Sequence, residues 1–166
     1  SEDDGSGDNV YYGTGIFGAG NTDGHEKNAA LGYQALYSLT TGDQNVAIGY
    51  KALYSSTTGN NNIALGYQAG YSTTTGAANV FIGYQAGDAN TTGTFNQAIG
   101  FDALTSNTTG ENNLAFGGYA LQNVTTGNYN TGIGYSALTG TSTGEYNISL
   151  GYQSSAQVNG DHNIGI

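Results

Sequence analysis

The chain of 166 residues contains no cysteine, methionine, tryptophan, proline or arginine. Without cysteine it can form neither disulfides nor thiolate metal sites. Lys27 and Lys51 are its only basic side chains against twelve acidic residues, and the formal net charge is −10. Because phosphate backbones and anionic membrane surfaces are bound by clustered positive charge, we expect neither as a partner. No run approaches the roughly 20 apolar residues that span a bilayer, so membrane insertion of this segment is not expected.

Glycine and asparagine are abundant instead, and both recur at fixed intervals. One asparagine series and two glycine series recur at every seventeenth position, with the consensus N-x-A-I-G-Y-x-A-L-x-S-x-T-T-G-x-x. The asparagine series is Asn28, Asn45, Asn62, Asn79, Asn96, Asn113, Asn130 and Asn147. A fixed period of this kind is typical of solenoids, in which each unit buries its apolar side chains by stacking on its neighbours.

Each unit is too short for two helices with their connections, and the units lack an i, i+3, i+4 apolar stripe. Short β-type runs separated by glycine, and a closing Thr-Thr-Gly turn, predict two strands and two turns per unit. The expected fold is therefore all-β, a parallel β-solenoid of about eight turns over residues 28–166. Residues 1–27 are predicted to be an irregular N-terminal segment that caps it.

Alternation along the first strand predicts one buried and one outer face. We interpret the large residues at the fourth position of each unit as the core column. The residues two places earlier are predicted to lie on the same face and to contribute to the same core. The fourth-position residues are Leu31, Ile48, Leu65, Ile82, Ile99, Phe116, Ile133 and Leu150. The residues between these two positions are mostly alanine and are predicted to face outward: Ala30, Ala47, Ala64, Ala98 and Ala115. A second strand is predicted to begin at Ala35-Leu36. Together with this strand, the small apolar outer face predicts that copies of the chain associate around an axis, and a trimer is expected.

The asparagine that opens each unit is predicted to form a structural ladder, each amide bonding to those above and below at about 4.8 Å. The ladder positions are Asn45, Asn62, Asn79, Asn96, Asn113 and Asn130. The glycines are expected to adopt positive φ or to allow close approach of the backbone at the corners.

The strings Asn45-Val46-Ala47-Ile48-Gly49 and Asn62-Ile63-Ala64-Leu65-Gly66 resemble the N-x-A-I-G core of trimeric autotransporter adhesin heads. The longer unit, with Tyr-x-Ala-Leu and Thr-Thr-Gly, is similar to repeat arrays of bacterial and phage tail-fibre-type proteins. The resemblance covers residues 28–166 and implies a left-handed β-roll that trimerises side by side. It also implies a structural, non-catalytic segment of an extracellular fibre or adhesin, at a cell surface or on a virion. It brings no catalytic, cofactor-binding or metal-binding residue.

Catalysis is not expected, because the two histidines, His25 and His162, lie near opposite ends of a linear fold. Acidic residues such as Asp43 and Glu111 follow some turn glycines, but Ala77 takes the same position in another unit. A repeating calcium site needs several oxygen ligands in every turn. We therefore expect no metal and no cofactor.

Tyrosines share one position of the repeat, and stacked columns of aromatic residues usually stabilise a solenoid or its interface. These candidate interface or ligand columns contain Tyr33, Tyr50, Tyr67, Tyr84, Tyr135 and Tyr152, with Tyr37, Tyr54 and Tyr71 at a second position. The alternative hypothesis is a ligand-binding solenoid that recognises glycans through the tyrosines or ice through the Thr-Thr column. A glycan or a cell-surface receptor would then be the partner.

The two ends of the solenoid suggest a further contact between copies of the chain. The unit that starts at Asn163 is interrupted at Ile166, and residues 9–13 form a degenerate unit at the other end. Because an uncovered solenoid end presents unpaired backbone groups, head-to-tail association into filaments is also predicted.

Overall fold

The computed structural model describes residues 8–18, 24–154 and 160–166. Within these ranges the chain has no helix, and its regular structure consists of short β-strands. The strands are β1 (Val10–Tyr12), β2 (Ala29–Leu31), β3 (Val46–Ile48), β4 (Ile63–Leu65), β5 (Val80–Ile82), β6 (Gln97–Ile99), β7 (Leu114–Phe116), β8 (Thr131–Ile133), β9 (Ile148–Leu150) and β10 (Ile164–Gly165).

All ten strands form one parallel sheet in chain order, β1 to β10. In the regular units each residue pairs with the equivalent residue of the next unit, as Ala47 does with Ala64. The first unit is longer than the others, since Val10 pairs with Ala29, and the last is shorter, since Ile148 pairs with Ile164. The predicted all-β parallel solenoid is confirmed. Nine steps of about 4.8 Å give a stack roughly 43 Å long.

The predicted assignment of the two strand faces is wrong. The central residue of each strand points inward: Ala47 is fully buried, whereas Ile48 is 40% exposed. The column from Leu31 to Leu150, interpreted from sequence as the core, lies on the outside. A turn this short encloses too little space for an isoleucine side chain on the strand side. Alanine therefore lines the inner wall. Across the lumen it meets Leu36, Leu53, Leu104, Leu121 and Leu138, all fully buried.

The predicted second strand is also absent from the described units. Ala35 and Leu36 lie in a turn, and both are fully buried, which the alternation of a strand would not allow. Gln34 and Leu36 have φ of 53° and 52°, and the equivalent residues of later turns repeat these values. The turn still contributes to the stack, because Lys51 N–H donates to the Tyr33 carbonyl and Leu53 N–H donates to the Ala69 carbonyl.

Both glycine series are required by the close stacking of the turns. Gly49 has φ of 138°, and a Cβ there would overlap the carbonyl oxygen of Gly66. A Cβ at Gly59 would overlap the carbonyl oxygen of Gly76. The expectation of positive φ therefore holds for the first series, and the expectation of close approach holds for both.

One large residue, Phe81, interrupts the alanine wall. Gly70 in the preceding unit and Gly87 in the same unit take the place of the lumen leucine, and the Phe81 ring fills the space. A Cβ at Gly70 would lie 2.7 Å from Cδ2 of Phe81, and a Cβ at Gly87 would overlap the ring. The three positions therefore form one packing unit, in which the Phe81 ring occupies space that leucine side chains fill elsewhere in the stack.

The predicted cap region, residues 1–27, contributes β1 to the sheet. The Phe17 ring lies 5.2 Å from the Tyr11 ring and 4.5 Å from the buried His25 ring, measured between centroids. Tyr11, Ile16 and Phe17 pack against the hydrophobic core. Residues 1–7 and 19–23 lie outside the described residues.

Candidate functional site

The asparagine series lies inside the solenoid and forms a continuous ladder. Asn62 donates its backbone N–H and its Nδ2 to Oδ1 of Asn45, at 2.9 and 3.2 Å. The same Nδ2 donates to the carbonyl of Gly76 at 2.9 Å. Equivalent backbone-to-Oδ1 bonds link Asn9 to Asn28 at one end and Asn147 to Asn163 at the other. Because these buried amides bond to the chain itself, the ladder holds the turns in register.

The outside of the sheet carries two aliphatic columns, which we call the outer sheet face. The first column is Ala29, Val46, Ile63, Val80, Gln97, Leu114, Thr131 and Ile148, and the second is Leu31, Ile48, Leu65, Ile82, Ile99, Phe116, Ile133 and Leu150. No member of either column is charged. Phe116 is the most exposed residue of the second column at 52%. A chain with a net charge of −10 therefore presents an uncharged, largely apolar strip along its length.

The first tyrosine column borders this face, since Tyr50 is the second residue after Ile48. Rings from Tyr33 to Phe101 stack nearly parallel, with centroids 4.9 to 5.4 Å apart. Gly118 takes the next position and breaks the column. Tyr135 and Tyr152 resume parallel stacking at 5.6 Å, and the Tyr119 ring, tilted by 60° to Phe101 and by 79° to Tyr135, bridges the two stacks. The structure thus brings four of the six candidate tyrosines into one stack and leaves two in another.

The stacking determines which parts of these rings can meet a ligand. Tyr50 is 40% exposed, yet its ring stacks on Tyr33 on one side and on Tyr67 on the other. Rings stacked on both sides of Tyr50 leave less of its faces open to a ligand. A sugar that packs its apolar face on an aromatic ring needs the open ring face.

The second tyrosine column consists of Tyr37, Tyr54 and Tyr71, with 5.1 Å between successive centroids and 5° between planes. Lys51 lies between the two columns, with its Nζ 5.5 Å from the centroid of Tyr50 and 5.0 Å from that of Tyr54. This arrangement places one cation over two aromatic rings.

A third aromatic stack was not predicted from sequence. Tyr129 stacks on Tyr146 at 4.8 Å, and Tyr146 stacks on His162 at 5.0 Å. These residues stand immediately before the ladder asparagine, where other units have Gln44 or Asn61. Aromatic residues occupy this position in successive units only in the last part of the chain. The column is therefore visible in the sequence only when the units are aligned position by position.

The two threonines of each Thr-Thr-Gly turn have different environments. The first is half-buried in most turns and bonds to the next turn, as Thr91 Oγ1 does to the Thr108 carbonyl at 2.8 Å. The second is exposed, as at Thr58, Thr92 and Thr109. One threonine column is therefore used within the fold, and one faces solvent.

Two partly buried acidic side chains, Asp88 and Asp102, lie in the middle of the stack. Burial raises the pKa of the Asp88 carboxyl, and the negative charge of Asp102 raises it further. Burial also raises the pKa of Asp102. Within residues 8–18, 24–154 and 160–166, no group of three His, Cys, Asp or Glu side chains is placed to share a metal ion. The same ranges contain no helix long and apolar enough to cross a membrane.

The fold and these columns define a class of protein: a parallel β-solenoid with turns of about 17 residues, an internal asparagine ladder and aromatic columns on its surface. No protein-family model matches the chain, and comparison with curated proteins and with solved structures gave no match either. The function is therefore argued from the surfaces themselves.

Proposed function

We propose that this chain is a structural, non-catalytic segment of an extracellular fibre or adhesin, at a cell surface or on a virion. In this proposal copies of the chain associate side by side, and the outer sheet face is the contact surface. The observation that carries the proposal is the uncharged aliphatic strip that runs from Leu31 to Leu150 on an otherwise acidic chain.

The dimensions of the strip support an interface. The two aliphatic columns and the adjoining tyrosine column cover an area roughly 40 Å by 15 Å, or about 600 Å², from standard strand spacings. The largest apolar patch on a typical monomer covers about 300–600 Å² and is often functional, so this strip lies at the upper end of that range. A standard interface buries about 800 Å² on each partner, so the strip with its polar rim is of suitable size.

The association proposed here differs from the sequence-based prediction in its contact surface. The alanines that were expected to form the contact face inward, so Ala47 and Ala64 are not available to a partner. The resemblance to adhesin heads favours three copies around one axis, each using its outer sheet face. Head-to-tail contacts between the chain ends remain a separate prediction.

The test is a pair of charge substitutions on the outer sheet face. We expect Ile48→Glu with Ile82→Glu to convert the oligomer to a monomer, because buried carboxylates without partners are strongly unfavourable. Light scattering would give the mass, and circular dichroism would verify the β-fold. Thr58→Glu with Thr92→Glu, which adds the same charge to the exposed threonine column, is the matched control and should leave the oligomer intact. A wild-type protein that is monomeric would contradict the proposal.

The second candidate function is ligand binding by the tyrosine or threonine columns. Its support is the continuous row of Tyr33, Tyr50, Tyr67 and Tyr84 hydroxyls, beside which Gln85 Nε2 donates to Gln68 Oε1 at 3.1 Å. The rings stacked on one another argue against sugar stacking, and only one threonine column is exposed. A glycan array and an ice-recrystallisation assay should both be negative. Binding that disappears in Tyr67→Phe or Thr92→Val would establish this function instead.

A further inference from the structure

Three tyrosines on consecutive turns are held in contact by the backbone. Ser38 N–H donates to the Tyr54 carbonyl at 3.1 Å, and Ser55 N–H donates to the Tyr71 carbonyl at 3.0 Å. These bonds fix the spacing of Tyr37, Tyr54 and Tyr71, whose rings stack at 5.1 Å. Each phenol therefore has another phenol stacked on it, one repeat unit away in the same chain.

The stack has defined ends. Asp88 takes the next position of the repeat beyond Tyr71 and cannot continue the aromatic column. At the other end, a Cβ at Gly18 would lie 2.8 Å from Cε2 of Tyr37, so the chain passes close to that ring. The three tyrosines are half-buried and lie outside the outer sheet face, so side-by-side association leaves them accessible.

We propose that this column is a site of oxidative modification, at which tyrosines on adjacent turns couple to dityrosine. The co-reactant is a one-electron oxidant, such as a haem peroxidase with hydrogen peroxide. Each of two phenols loses one electron and one proton, the two radicals form a carbon–carbon bond between Cε atoms, and the displaced ring hydrogens move to the oxygens. Hydrogen peroxide accepts the two electrons and two protons and becomes two molecules of water.

The geometry favours coupling within a chain over coupling between chains. Holding two reacting groups together replaces a bimolecular encounter with an intramolecular one. Rotation about the side-chain bonds can bring the Cε atoms of Tyr37 and Tyr54 together, while the hydrogen-bonded backbones stay in place. The resulting link would join equivalent residues of successive units and staple their turns. This inference does not depend on the proposed function.

The experiment is oxidation of the dilute folded protein with peroxidase and hydrogen peroxide, followed by peptide mapping. After denaturation we expect single chains that have each lost two hydrogen atoms per link, with linked peptides that join Tyr37 to Tyr54 or Tyr54 to Tyr71. Tyr129 and Tyr146, stacked at 4.8 Å, should form a second link and provide an internal reference. Because the first tyrosine column has similar spacing, the mapped peptides rather than total dityrosine fluorescence are the readout.

Two controls make the result decisive. Tyr54→Phe should abolish both links in this column and leave the Tyr129–Tyr146 link unchanged. Tyr119→Phe should leave the column's links unchanged, because the Tyr119 ring is tilted by 60° to Phe101 and by 79° to Tyr135. Protein oxidised in denaturant should lose the preference for partners one repeat unit apart. Equal link patterns in folded and unfolded protein, or links only between chains, would overturn the proposal.

Discussion

The inner and outer walls of the same strand differ in the size of their side chains rather than in their polarity. Ala47 and Ala64 line the lumen, while Ile48 and Leu65 stand outside on the same strands. In most folds the larger aliphatic residue is the buried one. Here the lumen of a short turn, already occupied by leucines such as Leu53, limits the strand side to a methyl group. The larger residues therefore lie on the outer sheet face.

The turn that contains Phe81 is the exception that supports this explanation. A large inner residue occurs where Gly70 and Gly87 have removed the opposing leucines. The Phe81 ring therefore occupies space that leucine side chains fill in other turns.

Phe81→Ala should have the largest effect on stability. Removing the ring leaves a cavity that the flanking glycines cannot fill, with an expected loss of about 3–5 kcal/mol. Gly87→Leu alone should also destabilise, because its side chain would overlap the ring. Combined with Phe81→Ala, however, it should recover part of the loss. Denaturant unfolding of the four proteins in this cycle measures the coupling, and additive effects would show that Phe81 and Gly87 do not pack as one unit.

A second comparison uses neighbouring residues on opposite walls. Ala47→Leu adds volume to a filled lumen and should cost about 1–3 kcal/mol or more. Ile48→Leu changes the outer wall and should remain within about 0.5 kcal/mol of the wild type. Thermal unfolding monitored by circular dichroism would separate them. If Ile48→Leu were the more damaging substitution, our assignment of inside and outside would be wrong.

The inner wall also contains a polar residue, Thr73, whose replacement by an apolar residue should stabilise the fold. Thr73 is fully buried and its Oγ1 has no hydrogen-bond partner, whereas Val124 and Leu39 occupy the same position of other turns. Thr73→Val should therefore stabilise the protein by about 1 kcal/mol. The adjacent Thr74 donates from Oγ1 to the Thr91 carbonyl at 3.1 Å. Thr74→Val should consequently destabilise, and the same sign for both substitutions would contradict this prediction.

The smallest effect concerns pH. The pKa of Asp88 is raised in the folded state by burial and by Asp102, so the folded protein binds a proton more readily than the unfolded chain. The contribution of this group to stability therefore falls as pH rises from its ordinary pKa through the raised value. Asp88→Asn should be more stable than the wild type at neutral pH, and the difference should disappear in acid. Chemical denaturation at several pH values would detect it, and a difference independent of pH would exclude this cause.

The sequence predicted the solenoid because the period constrains the backbone in every unit at once. The asparagine series and the glycine corners were identified for the same reason, since each has one residue type at one position. The orientation of Ala47 and Ile48 was not predictable from alternation, which defines two faces without stating which one is inside. The segment at Ala35-Leu36 is apolar, which favours a strand, but it forms a turn. The positive φ values of this turn fall on non-glycine residues, so the amino-acid composition does not indicate it.

The tyrosine columns could be predicted as sets of residues, but their geometry could not. Equal spacing in sequence placed Tyr33, Tyr50, Tyr67 and Tyr84 at one position, whereas the nearly parallel ring planes follow from the tight registration of the turns. The break at Gly118 was visible in sequence only as one missing aromatic residue. Whether such a column stabilises the fold or contacts a partner depends on which ring surfaces remain open.

The most direct test of the central claim is the mass of the protein in solution. We propose that other copies of the chain cover the outer sheet face, so sedimentation equilibrium should give an oligomer, with three times the chain mass of 16.9 kDa for the expected trimer. The mass should return to that of one chain in Ile48→Glu with Ile82→Glu. A wild-type protein that sediments as a single chain at every concentration would contradict the account.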